Sequence, residues 1–161
     1  MTNSMVIEVD GTQARYIDGS FLGETVIDYV AHVNTVKQAL VFFKSRLIVI
    51  EGAEHSGKSG LARVLNHNFE FSQLIDCTEF MSDRPVADIT HLIREKKTLY
   101  IIDEVDLVSR TGLEKLVQHI IAGGQAIMFL QNRNSLSQDK NMGLCTTWFE
   151  LSREDKLQLL P

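Results

Sequence analysis

Apolar and polar positions alternate along Met5-Val6-Ile7-Glu8-Val9, Asp10-Gly11 supplies a tight turn, and Thr12 to Ile17 can return. This pattern predicts a short N-terminal β-hairpin. From Gly23 onward the period changes. Val26, Ile27, Val30, Val33, Val36, Leu40 and Val41 recur at spacings of three and four, which predicts a helix ending near Lys44. Arg46 to Glu51 is then a short β-branched run bounded by Gly52, the pattern of a strand buried on both faces of a parallel sheet.

Helical and strand-like stretches alternate after it. Lys58 to about Asn68 places Leu61, Val64 and Leu65 on one face, and Ser72 to Cys77 reads as a strand. Ser82 and Asp83 as caps and Pro85 in a first turn predict a helix over Val86 to Lys96. Leu99 to Ile102 is a fully apolar strand, and Thr111 to Ala122 is a helix stopped by Gly123-Gly124. Ala126 to Leu130 and Thr146 to Leu151 are the last two strands. The alternation predicts a three-layer α/β domain with a five-stranded, mostly parallel sheet. Residues 1–22 are expected to form a hairpin extension and residues 23–161 the core.

Composition narrows the class. With 161 residues and 44% apolar side chains, the chain has the size and core content of one domain. Sixteen Lys and Arg against 21 Asp and Glu give a net charge of -5, so strong direct binding to DNA is not expected. Cys77 and Cys145 lack the spacing of a metal site, which suggests two buried thiols in a reducing compartment. The first ten residues lack the basic and apolar stretches of a secretory signal, and no apolar run approaches the roughly 20 residues that span a bilayer. A cytoplasmic protein without membrane attachment is expected.

Candidate chemistry is concentrated in three places. Gly52-Ala53-Glu54-His55-Ser56-Gly57-Lys58-Ser59 fits G-x-x-x-x-G-K-[ST] between a strand and a helix, with Gly60 following. Glycines let the loop curl so that its amides face phosphate oxygens, and the following helix adds its positive end. Lys58 would reach the β and γ phosphates and Ser59 would ligate Mg²⁺. A structural glycine-rich turn is the alternative. Leu99-Tyr100-Ile101-Ile102-Asp103-Glu104 ends a strand in two carboxylates. Asp103 would hold the metal and Glu104 would polarise a water; alternatively, both cap the next helix or face solvent. Gln131-Asn132-Arg133-Asn134 ends the next strand. One of these groups, with Asn132 as the candidate, could sense the γ-phosphate or position water, and a plain surface loop is the equal alternative. His55 reads as a solvated loop position, the other histidines as structural or exposed, and Trp148 as packing.

These motifs, with a final strand leading into LSREDKLQLL, resemble the AAA+ ATPases. Leu151 to Gln158 is similar to the segment that joins core to lid in the DnaA and Hda branch of replication initiators and regulators. The resemblance extends from about Gly23 to Pro161. It implies a P-loop NTPase fold, ATP and Mg²⁺ as ligands, a replication-related protein partner and a possible oligomer. Two features depart from the family pattern. Ser135 to Thr147 contains no arginine where the family carries one that reaches a neighbour's nucleotide, and the sequence ends at Pro161 before a helical lid. A lidless core with low or partner-dependent ATP affinity and weak hydrolysis is expected. A small-molecule or nucleotide kinase is the alternative, since IEGAEHSGKS also resembles kinase P-loops, although Arg133 and Arg153 are its sole candidates for a lid. A non-hydrolysing interaction module is the third. GTPase function ranks low because no NKxD motif occurs.

Overall fold

The computed structural model describes residues 5–18, 23–41, 46–53, 56–81, 86–94, 99–131, 146–152 and 156–159. Strands β1 (Met5–Asp10) and β2 (Gln13–Asp18) form the expected hairpin, and β3 (Gly23–Asp28) adds a third antiparallel strand. The helix α1 (Val30–Val41) therefore starts later than the apolar spacing predicts. Two features explain the shift. The stretch from Gly23 pairs with β2, setting Thr25 against Tyr16 and Ile27 against Ala14. Asp28 Oδ1 then accepts the amide of Val30 at 3.0 Å, which begins the helix there.

The larger sheet contains β4 (Leu47–Glu51), β5 (Ser72–Asp76), β6 (Leu99–Asp103), β7 (Gln125–Leu130), β8 (Thr146–Leu151) and β9 (Leu157–Leu159). Their order is β5-β6-β7-β4-β8-β9, and all neighbours are parallel except β8 and β9. The mostly parallel α/β sheet is as expected. It has six strands rather than five, because Leu157–Leu159 turns back along β8. With three residues and alternating polarity, β9 gives too short a run to register as a strand.

Alternation along β4 divides the core. Ile48 and Ile50 pack with α1 and α2 (Lys58–Asn68), whereas Leu47 and Val49 pack with α3 (Arg110–Ile121). All four are essentially inaccessible, as a central parallel strand covered by helices requires. The small sheet lies on the outer side of α2: Ala14 is fully buried in the same cluster as Leu61, Ala62, Val64 and Leu65, with Ile7, Val9 and Tyr16 packed against it. Helix α2 is thus enclosed between two sheets. Helix α3 is capped by Ser109, whose hydroxyl accepts the Gly112 amide at 3.1 Å. It ends as predicted: the amides of Gly123 and Gly124 bond to the carbonyls of Ile120 and His119, the paired arrangement of a Schellman stop.

The helix expected over Val86 to Lys96 is not formed in its described part. Ala87 instead makes bridges to Met81 and Val108, and a single 3-10 turn occupies Thr90–Leu92. The cause is tertiary. Ala87 donates to the Leu107 carbonyl and accepts from the Ser109 amide, which fixes it as extended backbone, while Ala87 and Ile89 bury alternate side chains.

Candidate functional site

Loop 52–57 leaves the carboxyl end of β4 in the middle of the sheet. The Gly52 amide donates to the Leu130 carbonyl at 3.0 Å, extending the β4–β7 contact one residue past the strand. The Ser56 amide then closes on the Ala53 carbonyl at 3.2 Å. Gly57, at φ +93°, turns the chain into α2, and its carbonyl accepts the Leu61 amide as the first bond of that helix. Lys58 is buried and folds back, with Nζ donating to the carbonyls of Gly52 at 2.5 Å and Ala53 at 2.8 Å. The carbonyls of Gly52 and Ala53 therefore face the Lys58 ammonium group. An 11-residue helix begins at its exit, adding orphan amides and a positive dipole end.

Beside the loop, Ser59 Oγ donates to Asp103 Oδ2 at 2.8 Å. Asp103 ends β6 and is only 2% exposed, and its Oδ1 has no hydrogen-bond partner among the described residues. Burial raises its carboxyl above the usual range. The Ser59 hydrogen bond opposes that shift, the Asp76 charge adds to it, and the Arg63 charge and the Glu104 amide oppose it. Among the described residues, no group of three or more His, Cys, Asp or Glu could hold a metal alone. One hydroxyl, one carboxylate and an unsatisfied carboxylate oxygen suit Mg²⁺, which takes few protein ligands and completes its shell with water and phosphate oxygens.

Glu104 follows Asp103 in the left-handed region, at φ 60° and ψ 48°, the sole non-glycine with positive φ among the described residues. That conformation costs about 1–2 kcal/mol in an L-residue. The position marks a functional candidate because local strain concentrates at such sites. Burial raises the Glu104 carboxyl, the Asp103 charge adds to the effect, and the Lys58 ammonium opposes it.

Several neighbours carry no motif. Arg63, one turn beyond Ser59 on α2, donates to the Ser59 carbonyl at 3.2 Å and approaches Asp76 at 3.9 Å. Asp76 ends β5 opposite Asp103 in register and accepts the amide and hydroxyl of Thr78. The helical spacing from Ser59 to Arg63 and the strand-end position of Asp76 were the available signals. On the other side of the loop, Tyr29 Oη donates to the Gly57 carbonyl at 3.3 Å and lies 2.6 Å from Tyr16 Oη. Nothing local in the sequence points to this pair, because the turn from β3 into α1 brings Tyr29 to Tyr16 on β2.

Of the positions expected from sequence, Gly52, Ala53, Ser56, Gly57, Lys58, Ser59, Gly60, Asp103 and Glu104 lie at the loop or the adjoining end of β6. Glu54, His55 and Asn132 lie outside the described residues. Gln131, just past β7, donates its main-chain amide to Asp106 Oδ2 at 2.8 Å. His32 and His119 are buried, His67 and His91 are exposed, and Trp148 packs against the cluster on the α3 side.

No family model and no curated protein sequence matches the chain. Solved structures do. A Walker-type ATPase of Pyrococcus abyssi aligns with a TM-score of 0.51 and 14% identity, over 68% of this chain and 46% of that one. A DNA replication initiation factor aligns with a TM-score of 0.47 and 16% identity, over 65% of this chain and 38% of that one. A DNA polymerase III gamma subunit-related protein of Thermotoga maritima aligns with a TM-score of 0.46 and 12% identity, over 73% and 45%. The chain spans less than half the length of each of these three structures. The first alignment, together with the strand order and the loop between β4 and α2, shows that the fold is that of a P-loop ATPase.

Proposed function

We propose that the chain binds ATP with Mg²⁺ at loop 52–60 and hydrolyses it slowly. Loop amides and Lys58 hold the phosphates, Ser59 and Asp103 hold the cation, and Glu104 orients the attacking water. Bound Mg²⁺ supplies charge neutralisation at the β and γ phosphates. The observation that carries this reading is the Ser59–Asp103 contact, which sets a hydroxyl and a carboxylate oxygen of the right kind beside the phosphate loop. The expected signature is MgATP binding that Lys58→Ala abolishes, measured by titration calorimetry on the full chain. Equal binding by both proteins sinks the proposal.

The finer part of the proposal is that this core acts through a protein partner in DNA replication initiation or its regulation, as a DnaA- or Hda-like protein. The similarity of Leu151 to Gln158 to a core–lid junction supports it. The division into an extension, residues 1–22, and a core, residues 23–161, belongs to the same proposal, with β3 joining the two. No helix among the described residues is long and apolar enough to cross a membrane, and the buried free thiol of Cys77 suits the reducing cytoplasm. Capture of replication proteins from the native cytoplasm with MgATP, and their loss without it, is the expected result. Absence of such proteins from the bound fraction removes the replication assignment and leaves the nucleotide site standing.

A further inference from the structure

The small N-terminal sheet does more than cover α2. Tyr29, at the junction of β3 and α1, is 1% exposed, and its hydroxyl reaches the Gly57 carbonyl. That carbonyl already accepts the Leu61 amide, so two donors converge on the peptide that joins the phosphate loop to its helix. Tyr16, on β2, holds the Tyr29 hydroxyl from the other side at 2.6 Å. Both rings are fixed by their surroundings. The Tyr29 amide donates to the Thr12 carbonyl, its carbonyl accepts the Val33 amide, and Tyr16 packs into the core cluster. The fit is close on both glycines of the loop exit: a Cβ on Gly57 would stand 2.7 Å from Tyr29 Oη, and one on Gly60 would stand 1.6 Å from Tyr16 Oη.

We propose that Tyr29 and, through it, Tyr16 are positioning residues for the bound nucleotide: the hydroxyl pair fixes the Gly57 peptide and with it the direction of the loop amides. This inference rests on the phosphate-site reading above. Loop amides stabilise a phosphate only when they point at it before it arrives, because reorienting them on binding consumes part of the interaction. Gly57 is the position most in need of support. Its left-handed conformation is open to glycine, and so are several others, and the second hydrogen bond on its carbonyl selects one of them.

Tyr29→Phe in the full chain keeps the ring and removes the donor, so it isolates the hydroxyl. Two measurements are made on it: hydrogen exchange of the Leu61 amide without nucleotide, and MgATP affinity by calorimetry. The expected results are exchange at Leu61 about fivefold faster with Val64 and Leu65 unchanged, and affinity about fivefold lower, the factor one lost hydrogen bond is worth. Tyr16→Phe shifts both in the same direction, and the double variant is no worse than Tyr29→Phe, since Tyr16 acts through Tyr29. Exchange that rises equally along α2 marks a general loss of stability and overturns the proposal. Wild-type affinity in Tyr29→Phe also overturns it while leaving the phosphate site intact. A wild-type chain that binds no MgATP removes the phosphate site itself, and the positioning role falls with it.

Discussion

Ser59 Oγ and Asp103 Oδ2 are 2.8 Å apart although 44 positions separate them in the chain. The first turn of α2 and the end of β6 meet over the carboxyl edge of the sheet, and the contact is a side-chain pair between a helix and a strand that is not its sequence neighbour. The hydroxyl satisfies one carboxylate oxygen, and the other is buried with no hydrogen-bond partner among the described residues. Such an arrangement stores an electrostatic cost that a divalent cation relieves.

That cost has a pH signature. Burial raises the Asp103 carboxyl in the folded state, so the folded protein holds its proton more tightly than the unfolded chain. Stability from this group is full below the ordinary carboxylate range and is lost as pH rises through the raised value. Asp103→Asn removes the charge and therefore that part of the slope, and the contribution of Glu104, whose carboxyl burial also raises, remains. Urea unfolding across the acid range, without Mg²⁺, measures it. A slope identical in both proteins contradicts the assignment.

Glu104 should behave unlike an ordinary position. Replacement by glycine usually destabilises a folded element relative to alanine, but at φ 60° the order reverses because glycine enters the left-handed region without a Cβ penalty. Glu104→Gly is expected to be more stable than Glu104→Ala by about 1 kcal/mol. Both lose hydrolysis, and Glu104→Gln keeps MgATP binding while losing turnover. Thermal melts of the three variants beside a phosphate-release assay test the trade between strain and chemistry. Alanine more stable than glycine at this position would falsify the strained backbone.

Gly60 offers a test of the contact between the small sheet and α2. In a free helix, Gly→Ala stabilises by about 1 kcal/mol. Here the added methyl meets the Tyr16 ring, with Cζ at 2.5 Å as well as Oη at 1.6 Å. Gly60→Ala is therefore expected to destabilise by about 1–3 kcal/mol, the range of overpacked sites. In a Tyr16→Ala background the obstacle is gone and the substitution should become stabilising. A change of sign between the two backgrounds is the measured coupling.

The residues at the loop and at the end of β6 were legible because each motif is local: eight consecutive positions for the loop, six for the strand and its carboxylates. The periods of β4, α2, β6 and α3 were legible for the same reason, each set by burial against a continuous core. What failed was non-local. Val26 and Ile27 fit a helical stripe and were captured by β2, while Ala87 was held extended by its hydrogen bonds to Leu107 and Ser109, some 20 positions away. The Tyr16–Tyr29 pair had no sequence signature at all, since a tyrosine on β2 and one at the turn from β3 into α1 announce nothing until the chain folds.

Cys77 links these structural relations to a measurement of binding. It lies beyond β5 near three carboxylates, and burial first, then the charges of Asp76, Asp103 and Glu104, push its thiol up to about 12. At pH 8 the folded protein then carries roughly a thousandfold less thiolate than a free thiol, and iodoacetamide reacts with the thiolate. Labelling in a Cys145→Ala background should therefore proceed through opened molecules rather than the native fold. The thiol's contribution to stability is complete below the ordinary value of 9.0 and disappears as pH rises through about 12, so protection should fade across that window. On the proposed binding of MgATP to the folded form, a concentration of 100 times its dissociation constant should slow labelling about a hundredfold when labelling requires unfolding. The Lys58→Ala variant should show the same basal protection and no slowing by MgATP. Rapid labelling of the Cys145→Ala protein at pH 8 contradicts the buried thiol. Protection that MgATP leaves unchanged in that protein places Cys77 in a local opening that does not involve the phosphate loop.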